Sequence, residues 1–199
     1  MIDLAEDKND WENLSALLTL ASTPIMPEKL DYKAAREKYR PSKIETLWIA
    51  ESPPASGGYF YFEKATGKNP VNLFSETMKA LGWWTPDSRM HAGFDKSHYL
   101  RRFQENGHFL IDATDIPVNH LKAAARNAAL RENMTILQAE VETLQPKKIL
   151  LIKKNVHDIL YPVLKSDYNV LNGNYIPFPA SSQQPKFRRL VRKYLKVTD

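Results

Sequence analysis

Three short, mostly apolar runs, Ile44–Ala50 (IETLWIA), His108–Asp112 (HFLID) and Lys148–Ile152 (KILLI), are separated by long stretches of helical periodicity. No other feature constrains the fold as much. A run of this length without a continuous polar face suits a strand covered on both sides. Strands that alternate with helices pair in parallel, because each crossover brings the chain back to the same end of the sheet. With Tyr175–Phe178 as a fourth, shorter strand, the expected fold class is α/β: a three-layer α/β/α domain around a central, mainly parallel four-stranded sheet.

Helical spacing fills the intervals. Residues 1–40 read as a helical preface, with Trp11, Leu14, Leu17 and Leu18 in phase, a break at Pro24 and Pro27, and a second helix near Leu30–Tyr39. Further helices are expected over Asn72–Leu81, ending at Gly82, and over His98–Glu105, ending near Gly107. Later helices are expected as one long element over Leu121–Leu144, then over Val156–Leu164 and Pro185–Leu195. Polar Thr85–Ser97 reads as a surface excursion. The length of 199 residues suits a single domain, 1–199, with 1–40 as its preface.

Charge narrows the partners. The net charge is +5, and positive residues concentrate at Lys186, Arg188, Arg189, Arg192, Lys193 and Lys196, and again at Lys147, Lys148, Lys153 and Lys154. Such clustering suits a phosphate backbone. The absence of cysteine excludes disulfides, thiolate metal sites and a cysteine nucleophile. No apolar run is long enough to span a bilayer, and Met1–Asp10 is acidic rather than a basic leader start. A cytoplasmic monomer that does not engage membranes is the expectation.

In parallel α/β sheets the ligand site lies outside the carboxyl ends of the strands. The loops that begin there hold Glu51, Ser52, Pro54 and the aromatic run Tyr59, Phe60, Tyr61, Phe62 after the first strand. Asp112 ends the second strand with Asp115 after it, Lys153 follows the third, and Phe178 ends the fourth with Ser181, Ser182, Gln183 and Gln184 after it. Neither standard Gly-rich phosphate loop occurs, nor a serine elbow, nor a histidine pair at metal spacing. No cofactor and no metal is expected.

These residues carry a resemblance. The segment AESPPASGGYFYF…NPVNLFSETMKALGW, from Ala50 to Trp83, resembles the first motif of the uracil-DNA glycosylase superfamily, with Pro70, Asn72, Phe74 and Gly82 in register with its mismatch-specific uracil/thymine branch. GHFLIDATDIPVN resembles the segment whose central polar residue reads the flipped base, LQPKKILLIKKN the third strand, and IPFPASSQQPKFRRLV the final loop and helix. Coverage runs from about residue 44 to residue 195. The resemblance implies that fold and a DNA glycosylase acting on a base flipped out of the helix.

Three departures matter. Asp112 stands where uracil-removing relatives usually carry Asn, Ser52 where some carry a water-positioning Asp or Asn, and Phe178 where many carry a His that stabilises the leaving base. They point away from ordinary uracil excision. An ionised carboxylate only accepts hydrogen bonds, which suits the exocyclic amine of cytosine. Small Pro54, Ala55, Gly57 and Gly58 leave room for a large 5-substituent. By resemblance this profile points to the anti-phage branch that removes glucosylated hydroxymethylcytosine.

In that chemistry the aromatic run supplies a base platform, with Ser52, Pro54, Asp112, Lys153 and Phe178 around the base. Glu51 or Asp115 orients water or stabilises the sugar cation, and the two are not ranked by sequence. Ser181, Ser182, Gln183, Gln184, Lys186 and Arg188 would meet the DNA backbone, with Gln183 as a candidate wedge. His108 and His120 read as structural or exposed. Rival readings are a uracil/mismatch repair enzyme, a catalytically silent DNA-binding member of the fold, or an unrelated nucleotide-processing α/β enzyme.

Overall fold

Strand β1 (Thr46–Ala50) is buried at all five positions, and two parallel partners flank it, β2 (His108–Asp112) and β3 (Ile149–Leu151), in the order β2-β1-β3. This is a computed structural model describing residues 31–55, 58–65, 72–84 and 90–198. The described residues make a mixed α/β unit with seven helices: α1 (Tyr32–Glu37), α2 (Asn72–Ala80), α3 (Ser97–Glu105), α4 (Ala123–Glu132), α5 (Met134–Leu144), α6 (Lys154–Leu164) and α7 (Gln184–Leu195). The helix expected from Trp11 to Leu18 lies outside the described residues, as do Gly57, Pro70 and residues 85–89.

The sheet has three strands rather than the expected four. Tyr175–Phe178 contributes one parallel bridge, Ile176 to Ile152, and Val170 adds another to Ile149. The reason is local: Pro177 and Pro179 have no N–H to donate, so a ladder cannot extend through this segment. The two bridges still cover the outer edge of β3.

The expected helix over Leu121–Leu144 is two helices. Asn133, at φ −82° and ψ −2°, separates α4 from α5, and its Nδ2 donates to the Ala113 carbonyl at 2.8 Å. A side chain that bonds backbone outside its helix favours a break over continuation. The expected surface excursion over Thr85–Ser97 also differs in its described part. Lys96 is fully buried, and its ammonium donates to the carbonyls of Tyr59 (2.8 Å) and Phe60 (2.9 Å) and lies 4.9 Å from the centre of the Phe74 ring. Burial without a carboxylate partner pulls its pKa down to about 7.

Helix ends follow their glycines. Gly82 has φ +71°, and the Gly82 and Trp83 N–H groups reach back to Lys79 and Met78, which is the Schellman ending of α2. Gly107, also at +71°, closes α3, and its carbonyl accepts from Glu45 and Thr46 at the entry to β1. A Cβ at position 107 would lie 2.7 Å from Glu45 Cγ, whereas one at Gly93 (φ +82°) would meet nothing within 4 Å. Gly107→Ala is therefore expected to cost at least about 2 kcal/mol in urea denaturation, and Gly93→Ala about 1 kcal/mol from backbone strain alone. Equal losses would show that the contact with Glu45 relaxes freely.

The core is aromatic and aliphatic. Trp48 is buried in β1 and donates through Nε1 to His108 Nδ1 at 3.2 Å. Burial pulls the His108 pKa down to about 4, so the ring is neutral and structural. On α7, Phe187 and Val191 are buried while Arg188 pairs with Glu76 and Arg192 donates to the Ala80 carbonyl at 3.3 Å, joining this basic helix to α2.

Candidate functional site

Order β2-β1-β3 sends the crossover after β1 to one side of the sheet and places β3 on the other, so a crevice opens outside the carboxyl ends between β1 and β3. The register determines what faces it. Ile49 pairs with Leu151, which sets Glu51 and Lys153 opposite each other two residues on, and Ala50 pairs with Asp112. A cavity of about 270 Å³ sits there, walled by Ala50, Glu51, Ser52, Pro54, Gly58, Tyr59, Phe60, Leu73, Leu110, Asp112, Asn119, Lys153 and Phe178.

The structure thus brings together eight of the sequence-expected residues: Glu51, Ser52, Pro54, Tyr59, Phe60, Asp112, Lys153 and Phe178. Three others lie elsewhere. Tyr61 is in the core, with its hydroxyl accepting from the Leu110 N–H at 2.7 Å, and Phe62 stacks on Tyr32 at 5.6 Å. Asp115 is 61% exposed and turned to Arg36, not to the cavity.

Glu51 is clamped. One carboxylate oxygen pairs with the Lys153 ammonium, the other accepts from Asn155 Nδ2 at 2.7 Å, and the Arg126 guanidinium is 3.8 Å away. Asn127 Oδ1 accepts from the same Asn155 amide at 3.2 Å. Lys153 reaches Glu51 from an unusual backbone, φ +86° and ψ 145°, at the start of α6. A non-glycine residue held in this region stores strain of roughly 1–3 kcal/mol, commonly at functional sites.

Asp112 is held differently. Only 5% exposed, it lies at the cavity wall near the Tyr59 hydroxyl, and its pKa is pushed up to about 7, mainly by burial. Arg36 opposes that rise, while Asp115 and Glu140 add to it. The Arg36 guanidinium, itself 1% exposed, donates to Glu140 at 2.9 Å and to Asp115 at 3.4 Å. Two carboxyl groups in one cavity therefore sit in contrasting surroundings, Glu51 directly ion-paired and Asp112 buried, with the charge of Arg36 opposed by Asp115 and Glu140.

Several members carry weak sequence signals. Asn119 falls inside the segment resembling a base-reading motif, and its Oδ1 accepts from the Ala55 N–H at 3.1 Å. Together with the bond from the Val118 N–H to Ser52 Oγ at 3.3 Å, it ties the loop after β1 to the loop after β2. Asn155, Asn127 and Arg126 sit on helices whose polar positions look merely solvated in sequence. Tyr32 and Arg36 lie one turn apart on α1; the Tyr32 hydroxyl donates to the Pro54 carbonyl at 2.7 Å, and its ring meets Tyr59 edge-on at 4.8 Å. Part of the expected preface thus forms the back of the site.

Of the segment from Phe178 to Gln184, Phe178, 38% exposed, lines the cavity, whereas Ser181, Ser182 and Gln183 are exposed outside it, with Ser181 and Ser182 in left-handed conformation (φ 49° and 66°). Gln184 is half-buried at the start of α7, and the exposed Lys186 lies 5.3 Å from the centre of the Tyr175 ring. Arg188, expected at the DNA backbone, is ion-paired with the buried Glu76, although its side chain is still 35% exposed. Among the described residues no group of three or more His, Asp or Glu side chains is placed to hold a metal ion, and no helix is long and apolar enough to cross a membrane. No protein-family model matches the chain, and no curated protein matches it.

Proposed function

We propose that this chain is a DNA glycosylase that hydrolyses the N-glycosidic bond of a flipped pyrimidine, with a 5-modified cytosine such as glucosylated hydroxymethylcytosine as the leading substrate. The observation that carries this reading is the composition of one small cavity: aromatic walls from Tyr59, Phe60 and Phe178, an ion-paired Glu51, and a buried Asp112. A cavity of about 270 Å³ suits a single base better than a whole nucleotide cofactor.

The chemistry fits those groups. As the C1′–N bond breaks, its electron pair leaves with the base and positive charge develops on the sugar. A carboxylate near the sugar and a cation near the base lower that barrier. Glu51 stabilises the sugar cation and takes the proton of the attacking water, whose oxygen forms the new bond to C1′. Lys153 lies beside the departing base, Tyr59 and Phe60 stack on it, and Asp112 bonds its edge. Exposed Lys186, Arg189 and Lys193 offer charge to phosphates.

Incubation with duplexes carrying cytosine, uracil, hydroxymethylcytosine or its glucosylated form, scored as alkali-labile abasic sites, tests the reading. Cleavage at the modified cytosines is expected. Cleavage at uracil alone would keep the glycosylase and remove the substrate. Retained DNA binding without cleavage at any base would replace the enzyme by a silent DNA-binding protein of the same architecture.

A further inference from the structure

We infer that Asp112 reads the flipped base as a neutral carboxylic acid, donating one hydrogen bond and accepting another along the base's pairing edge, so that recognition is lost when this proton leaves. The inference rests on the glycosylase reading and assigns the chemistry of its specificity group.

The geometry carries it. Asp112 is 5% exposed at the end of β2, where it lines the cavity. Facing it are Tyr32 and Arg36 from α1, Tyr59 and Tyr61 from the aromatic segment, Asp115 from its own loop and Glu140 from α5. Arg36 is the cation of this group, and its hydrogen bonds go to Glu140 and Asp115. Glu140, Asp115 and, at longer range, Asp112 thus share this guanidinium, while Glu37, 3.8 Å from its Nε, is also paired with Arg40 at 3.4 Å. With Asp112, Asp115 and Glu140 all ionised around Arg36, this group would carry a net charge of about −2, an arrangement relieved most readily by protonating the member least open to water. Asp115 is 61% exposed and Glu140 is 27% exposed, so that member is Asp112. Burial raises its pKa to about 7, in agreement with the charge count.

The proton changes what can be read. A neutral acid donates O–H to cytosine N3 while its other oxygen accepts from the exocyclic amine, giving two bonds. The same acid donates to uracil O4 and accepts from uracil N3–H. An ionised carboxylate keeps one of these bonds and sets a lone pair against the base's acceptor. Position 112 therefore behaves as an asparagine there would behave, and a preference for cytosine does not follow from it alone. Discrimination passes to the walls near Pro54 and Gly58, where a 5-substituent would lie.

For an acid whose folded pKa is raised, the proton is present below about pH 7 and lost above it. Wild-type kcat/KM on hydroxymethylcytosine DNA is expected to be flat below that point and to fall about tenfold per pH unit above it, a loss of about 100-fold between about pH 6 and about pH 9. Asp112→Asn, whose amide keeps both bonds at every pH, is expected to reduce that ratio to less than about threefold. An active wild type with a flat or rising profile, or an Asn variant that keeps the fall, would overturn the inference.

Carboxyl ¹³C NMR of Asp-labelled full-length protein without DNA supplies a readout independent of catalysis. One resonance, absent from Asp112→Asn, should titrate near pH 7, and its midpoint should move upward with millimolar free cytosine, because the base binds the acid form. A midpoint below about pH 5, or one indifferent to cytosine, overturns the inference even if excision is observed. Failure of excision on every duplex, with that resonance responding to cytosine as expected, would count against the glycosylase reading alone.

Discussion

Replacing Glu51 by Gln is expected to slow the proposed base excision by about 10²–10⁴-fold while leaving the protein folded. Gln preserves the shape of the side chain and can still accept from Asn155, but it removes the negative charge that Lys153 and Arg126 surround. The transition state, with its cationic sugar, loses more than the ground state does, so the loss should appear in the single-turnover rate rather than in DNA affinity. Asp115→Ala is the informative control: this carboxylate is outside the cavity and bound to Arg36, so its removal should change excision far less. An excision rate for Glu51→Gln equal to that of the wild type would remove Glu51 from the chemistry, and a larger loss for Asp115→Ala would exchange their roles.

Arg36→Ala should destabilise the protein by about 3 kcal/mol in urea denaturation at neutral pH. The side chain is 1% exposed, its guanidinium binds Glu140 at 2.9 Å and Asp115 at 3.4 Å, and its charge offsets that of Asp112. Truncation leaves Glu140 without its cation and opens a void beneath the aromatic cluster. Arg36→Lys should recover only part of the loss, because an ammonium cannot hold two carboxylates in the geometry of a guanidinium fork. Without Arg36, the Asp112 pKa should rise further, which would move the fall of activity to higher pH. A destabilisation below about 1 kcal/mol would mean that Glu140 rehydrates and that the cluster does not depend on this arginine.

Periodicity made much of the architecture legible. The pattern of His108–Asp112 predicts the strand it forms, and the helices ending at Gly82 and Gly107 end there because only glycine accepts the left-handed backbone cheaply. The carboxyl-end rule for parallel sheets points to the cavity, since Glu51 follows β1, Asp112 ends β2 and Lys153 lies two residues past β3. What escaped was whatever depends on contacts between distant segments. Lys96 reads as a surface residue but is buried against the carbonyls of Tyr59 and Phe60. Asn133 reads as one polar position in a long helix but divides it, because its amide finds Ala113.

The sequence by itself determined the parallel α/β class, the strand ends from which the site is built, and the chemical types gathered there, because hydrophobic period and turn chemistry are local properties of the chain. The tertiary structure decided which of those groups share the cavity and in what state. It placed Glu51 against Lys153 and Asn155, sent Asp115 outward to Arg36, engaged Arg188 with Glu76, and buried Asp112 within reach of Arg36, Asp115 and Glu140. The physical reason is that ionisation and ion pairing depend on distance and desolvation across segments up to about 100 residues apart, quantities that no local pattern encodes.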